Sequence, residues 1–180
     1  MSELFFYKIF LFVTITTFGQ EKFDYNQNGL TPKSIVNEID NLEQNEIYSK
    51  TLNWIKTNYK NPNEVIKSTI ENEMIRIEGT KIDWLCVSSL GASVCSNAIY
   101  SLQFNFKNGK YKIEIISLKA SSNSGSFDIN LDNGSIYYDK KGELKKFTKD
   151  TPKAIFALFN EINSNLNDYL LGKNLKKDDW

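Results

Sequence analysis

Residues able to do chemistry are few in this chain of 180 residues, and each kind carries its own test. Asp24-x-Asn26-x-Asn28-Gly29 matches the opening of a calcium loop, yet Ile35 stands at the twelfth position, where a bidentate glutamate belongs. Asp128-x-Asn130-x-Asp132 offers Asp139 at its twelfth position, but Asn133 occupies the place required of glycine. Asparagine-rich turns account for both segments, so neither a metal nor a cofactor is expected. Carboxylates are the acid/base groups that remain, as in glycoside hydrolysis. Glu71, Glu73, Glu78 and Glu114 fall on or between strands, and nothing in the spacing brings two of them to a shared cleft. No catalytic residue is therefore assigned.

The missing residue types exclude more. The chain has no histidine, which removes Ser-His and Cys-His activation of a nucleophile and the commonest metal ligand. Arg76 is the sole arginine, so phosphates would have to be held by lysines acting as point charges, and no GxxxxGK[ST] loop is present. Lysine plus arginine total 22 and aspartate plus glutamate total 22. A neutral domain has no long-range field to draw it to nucleic acid or an anionic membrane, so no nucleic-acid partner is expected.

Two segments bear on the compartment. Ile9 to Phe18 is an uncharged apolar run after Lys8, with small residues placed for cleavage after Gly19, which reads as a secretory signal peptide over residues 1–19. It is shorter than the roughly 20 apolar residues that span a bilayer, so the cleaved protein is not an integral membrane protein. Cys86 and Cys95 are the two cysteines. In an exported chain such a pair is a candidate disulfide, with two free buried thiols as the alternative.

These groups need elements to place them. Ser34 to Ile39 reads as a first strand, and Asn45 as the N-cap of a helix whose stripe is Tyr48, Leu52, Ile55 and Tyr59, stopped at Asn61-Pro62. Trp54 borders that stripe as an edge-of-core aromatic. Val65–Ile70 and Met74–Trp84 form a hairpin, with a change of phase that predicts a bulge at Gly79. Tyr100, Leu102, Phe104 and Phe106 alternate with polar residues up to Asn108-Gly109, read as a type I′ turn. That register pairs Phe106 with Tyr111, Phe104 with Ile113 and Leu102 with Ile115. A second hairpin is expected about Asn133-Gly134, pairing Leu131 with Ile136 and Ile129 with Tyr138. A closing helix opens at Thr151-Pro152, carries Ile155, Phe159, Ile162, Leu166 and Tyr169, and ends at Leu171-Gly172. The fold class is α+β: a two-layer sandwich, an antiparallel sheet with two helices on one face. Residues 20–172 make a single domain with an insert at 121–149, and 173–180 is a flexible tail.

Glu46-Ile47-Tyr48, Leu52-Asn53-Trp54-Ile55, Val65-Ile66 and the strand Met74 to Gly79 together resemble a family of secreted bacterial proteins of unknown function with a TBP-like fold. In that family a tyrosine-bearing helix with an Asn-Trp-Ile-like centre leads into paired strands ending in glycine. The resemblance implies a β-α-β(4)-α order, here with an extra hairpin, and export. It implies no catalytic residues, and the cysteine-bearing loop and the 121–149 insert depart from it. DNA reading by the TATA-binding protein does not transfer, because fold does not imply function.

With helices over Leu102, Phe104, Ile113 and Ile115, the opposite sheet face presents Ser101, Gln103, Asn105, Lys112 and Glu114, joined by Ile116 and Leu118. Gln103, Asn105, Lys112 and Glu114 form the candidate contact face. Tyr137-Tyr138 is a second possible aromatic contact. The expected function is a non-catalytic binding or assembly module of the bacterial envelope, its partner an envelope protein or glycan. A carboxylate-dependent envelope hydrolase is the alternative.

Overall fold

Alternation with a period of two builds most of this molecule. The computed structural model describes residues 21–89, 92–123 and 125–173. A short antiparallel pair, β1 (Asp24–Asn26) and β2 (Gly29–Thr31), comes first, followed by β3 (Ser34–Glu38). Helix α1 (Gln44–Asn58) and the single turn α2 (Pro62–Val65) lead into β4 (Ile66–Ile70), β5 (Met74–Ser89), β6 (Ala92–Lys107) and β7 (Lys110–Ser122). β8 (Gly125–Asp128) and helix α3 (Asp150–Leu170) complete the order. The main sheet runs β3-β7-β6-β5-β4, with β8 pairing the far half of β7, and the pairs are antiparallel.

Both long helices lie on one face of this sheet. Aromatic edges make the joint: Tyr48 meets Phe106 with ring centroids 5.6 Å apart, Trp54 meets Phe104 at 6.3 Å and Phe159 meets Tyr100 at 6.4 Å. The core holds Ile35, Ile75, Ile77, Leu102, Phe104 and Ile113 from the sheet and Ile47, Ile55, Ile155 and Phe159 from the helices. The expected two-layer α+β sandwich is what forms.

The β6–β7 register agrees with the expected one at all three pairs, Phe106–Tyr111, Phe104–Ile113 and Leu102–Ile115. The left-handed conformation in its turn falls on Gly109 (φ 70°) and not on Asn108, so the turn is not type I′. Beyond Leu102 the register slips at Ile116, a bulge that turns Ile116 outward and returns Leu118 to the core. Leu118 therefore does not join the open face.

Other expectations shift for physical reasons. The β5 bulge lies at residues 82–84, where Asp83 takes φ 49°, and not at Gly79. Gly79 stays paired with Tyr100, whose ring lies 2.6 Å from where a Cβ would stand. Glycine is there for close approach. The α1 cap is Glu43, in a capping box with Glu46, and not Asn45. Trp54 is 2% exposed, a core residue and not an edge one, and Ile47 and Thr51 share its buried side. The α3 cap is Lys149, which puts Thr151 and Pro152 inside the first turn.

The expected hairpin at Asn133-Gly134 does not form; the extra hairpin is β7–β8, one loop earlier. Gly134 sits against the β1–β2 turn, where a Cβ would meet the Asn26 carbonyl oxygen, and its N–H donates to the Gln27 carbonyl (3.0 Å). A 3-10 turn over Ser135–Tyr137 follows. The signal segment 1–19, Ser124 and residues 174–180 lie outside the described residues.

Candidate functional site

Strand parity sends Arg76 of β5, Gln103 and Asn105 of β6, and Lys112 and Glu114 of β7 to the face away from the helices. Register then stacks them in rungs across the sheet. One rung reads Arg76, Gln103, Glu114, Ser34, and the next reads Met74, Asn105, Lys112, Val36. A third rung closes at the turn with Lys107, Lys110 and Glu38.

The side chains are joined by hydrogen bonds. Arg76 donates from Nη2 (2.6 Å) and Nε (3.2 Å) to Gln103 Oε1. Gln103 Nε2 donates in turn to Asn105 Oδ1 at 3.0 Å. Lys112 Nζ donates to Glu114 Oε2 at 3.0 Å. All four expected contact residues are thus half-buried on one surface, in two bonded sets on neighbouring rungs.

The surface is not flat. A depression of about 460 Å³ opens between Val36, Gln103, Asn105, Lys107, Lys110 and Lys112. It takes in three of the four expected residues and leaves Glu114 at its margin. Lys107 and Lys110 stand directly opposite each other across the strands, an arrangement that costs stability. Sequence parity alone could have added Lys107 and Lys110, since they flank Asn108-Gly109 in phase with Asn105 and Lys112. Val36, 50% exposed, reaches the site through β3–β7 pairing, which no local pattern announces.

Other candidates disperse. Glu71 and Glu73 sit in the β4–β5 turn, Glu78 pairs with Lys67 (3.4 Å) and Glu114 with Lys112, so the four carboxylates line no common cleft. The two calcium-like loops do meet: Leu30 N–H donates to the Leu131 carbonyl at 2.8 Å. Their side chains are spent on turns, with Asn26 Oδ1 accepting from Asn28 N and Asn130 Oδ1 from Asp132 N, both at 2.9 Å. Among the described residues no group of three or more acidic, cysteine or histidine side chains is placed to hold a metal. Tyr137 is buried against Tyr25 with ring centroids 5.9 Å apart, and the Tyr138 hydroxyl donates to the Tyr25 carbonyl, so both rings face inward.

Cys86 and Cys95 face each other across β5 and β6 and are joined as a disulfide. Its place is an arm, where the two strands run on past β4. Trp84 anchors the base of that arm by donating from Nε1 to the Ala154 carbonyl of α3 (3.1 Å).

On the helix side, a smaller cavity of about 200 Å³ lies beside Trp54, Tyr59 and Tyr100. The two phenol oxygens are 3.0 Å apart, and burial raises both phenols above their ordinary value. Lys81 and Glu161 line the same cavity but are paired with each other at 2.9 Å, and the phenol pair joins the end of α1 to the sheet.

Residues 34–120 match the family model described as a domain of unknown function (DUF4468) with TBP-like fold. A comparison with curated protein sequences gave no match. Among solved structures, a DUF4468 family protein from Bacteroides ovatus ATCC 8483 superposes with a TM-score of 0.61 at 13% identity, over 76% of this chain and 84% of that one. A TBP-like protein from Parabacteroides distasonis ATCC 8503 gives 0.56 at 15% identity, over 79% and 92%. The matched segment begins at β3 and ends within β7, so it holds α1 and every residue of the open-face rungs. The chain is therefore similar, by sequence over residues 34–120 and by fold over most of its length, to the DUF4468 family of TBP-like proteins of unknown function.

Proposed function

We propose that this chain is an exported, non-catalytic binding or assembly module of the bacterial envelope, and that it works through the open face of its sheet. One observation carries the proposal. The Arg76–Gln103–Asn105 chain and the Lys112–Glu114 pair hold a polar surface in fixed positions around a depression, on the face the helices leave uncovered. Fixed polar groups around a concave surface suit recognition, because little side-chain freedom is lost when a partner binds.

Export rests on the apolar leader before Gly19. No helix among the described residues is long and apolar enough to cross a membrane. The carboxylate-hydrolase alternative draws nothing from the dispersed glutamates.

Crosslinking in the producing cell, followed by capture of the tagged protein, tests the proposal. A dominant envelope partner, lost when Gln103 and Lys112 are both changed to alanine, is the expected result. Recovery of the uncleaved chain from the cytoplasm, or no partner at any crosslinker length, would reject it.

A further inference from the structure

We infer that the depression at the β6–β7 turn is a docking site for an acidic polypeptide segment. This rests on the open face being the working surface and names the class of partner it takes. The chain as a whole is neutral, with 22 basic and 22 acidic residues. Around this depression the balance is broken: Lys107, Lys110 and Lys112 line it, and among the described residues no carboxylate does. Glu38 meets Lys110 at only 3.9 Å, and Glu114 holds Lys112 at 3.0 Å from outside the lining. Lys107 and Lys110 oppose each other across the turn, where unlike charges would suit the fold better. A bound anion resolves that conflict.

The rest of the lining selects among anions. Gln103 and Asn105 add amide donors and acceptors of the kind that peptide groups meet, and Val36 adds an exposed apolar contact. Glycan recognition draws on exposed aromatic rings as stacking platforms. The two rings nearest, Phe106 and Tyr111, are buried at 3% and 1% exposure. Single-stranded nucleic acid needs the same platforms together with a basic track. Arg76 is engaged with Gln103, and the lysines form a spot, not a track. An acidic, partly apolar peptide satisfies the charges, the amides and Val36 together.

The probe is a fluorescein-labelled octapeptide of alternating glutamate and valine, titrated with the folded protein and followed by anisotropy at low and high salt. We expect saturable, salt-weakened binding. The triple variant Lys107→Gln, Lys110→Gln, Lys112→Gln should bind about tenfold or more weakly, and the matching Lys→Arg variant should retain binding. These lysines are on the surface, and circular dichroism identifies any variant that misfolds. No binding of the peptide, binding unchanged by neutralisation, or equal binding of a lysine–valine peptide would overturn the inference. Equal competition by polygalacturonate would overturn it too, in favour of a glycan. Partner capture through the open face alongside failure of the peptide would remove only the acidic-peptide assignment. Absence of any captured partner with the wild-type chain, or capture unchanged by the Gln103→Ala, Lys112→Ala variant, would remove the working-face reading itself.

Discussion

Asn163 is 2% exposed, and its side-chain oxygen accepts from Asn37 Nδ2 (2.9 Å) and from the Tyr111 hydroxyl (3.1 Å). This small polar cluster ties α3 to β3 and β7 in an otherwise apolar interface. Asn163→Ala takes the acceptor from both donors and should destabilise the protein by about 2–3 kcal/mol in urea unfolding. Adding Tyr111→Phe should recover part of that loss, because it removes a hydroxyl left with only the long 3.4 Å contact to the residue-163 carbonyl. The tyrosines set the alkaline limit. Burial raises Tyr59 and Tyr111 well above their ordinary value of 10.0, with Tyr100 beside Tyr59 and Asp168 near Tyr111 adding to the shift. The folded chain holds these protons after the unfolded chain has released them. Their stability is therefore complete below pH 10 and is lost above it, by about 1.4 kcal/mol per pH unit for each phenol. Stopped-flow absorbance should show their phenolates appearing with unfolding, and not as a free titration centred at 10. Periodicity in the sequence put Tyr59 and Tyr111 on the core side, but the Asn37–Asn163 pairing was not legible, since it follows from which helix crosses which strand.

Elements were legible where local pattern and turn chemistry agreed. The β6–β7 hairpin shows apolar positions in alternation, an Asn-Gly turn and one register that opposes three apolar pairs, and from Leu102 to Phe106 that register is the one formed. Glycine carried the ambiguity elsewhere. Gly79 lies under the Tyr100 ring and Gly134 against the Asn26 carbonyl, both long-range contacts that look like bulge and turn signals in the sequence. Gly79→Ala should cost about 1–3 kcal/mol by overpacking. In the double variant with Tyr100→Leu the two costs should add to less than their sum, as thermal or urea unfolding would show. The β1–β2 pair has no local signature because its burial is supplied from far along the chain: Asn160 of α3 bonds the Phe23 backbone at 2.9 and 2.8 Å. The cysteine arm, residues 85–89 paired with 92–96, lies beyond the stretches that β4 and β7 pair with. Its bond closes a separation of nine residues, worth at most about 2–3 kcal/mol in the chain-entropy model. Because the arm runs past β4, reduction should speed amide exchange at residues 85–86 and 94–96 while 98–106 stay protected. Equal loss of protection in both segments would make the bond a support of the core instead.

At the scale of the molecule, the fold divides its sheet into a face that packs and a face that is offered. Aromatic edges and aliphatic side chains close the helix side, while the other side keeps Arg76, Gln103 and Asn105 in one bonded set and Lys112 and Glu114 in another at the surface. Half of this was readable from strand parity, which placed Gln103, Asn105, Lys112 and Glu114 together. The concavity was not, because it needs β3 to bring Val36 beside Lys112 from far away in the chain. Charge balance also misleads at this scale, since a chain neutral in total concentrates three lysines around one depression. The most direct test places a photo-crosslinking amino acid, in the living cell, at Gln103 or Lys112 on the open face and at Lys50 or Ala157 on the exposed side of the helices. The account predicts a discrete adduct from Gln103 and Lys112 and none from Lys50 or Ala157. Adducts confined to the helix positions, or none from the open face, would contradict it.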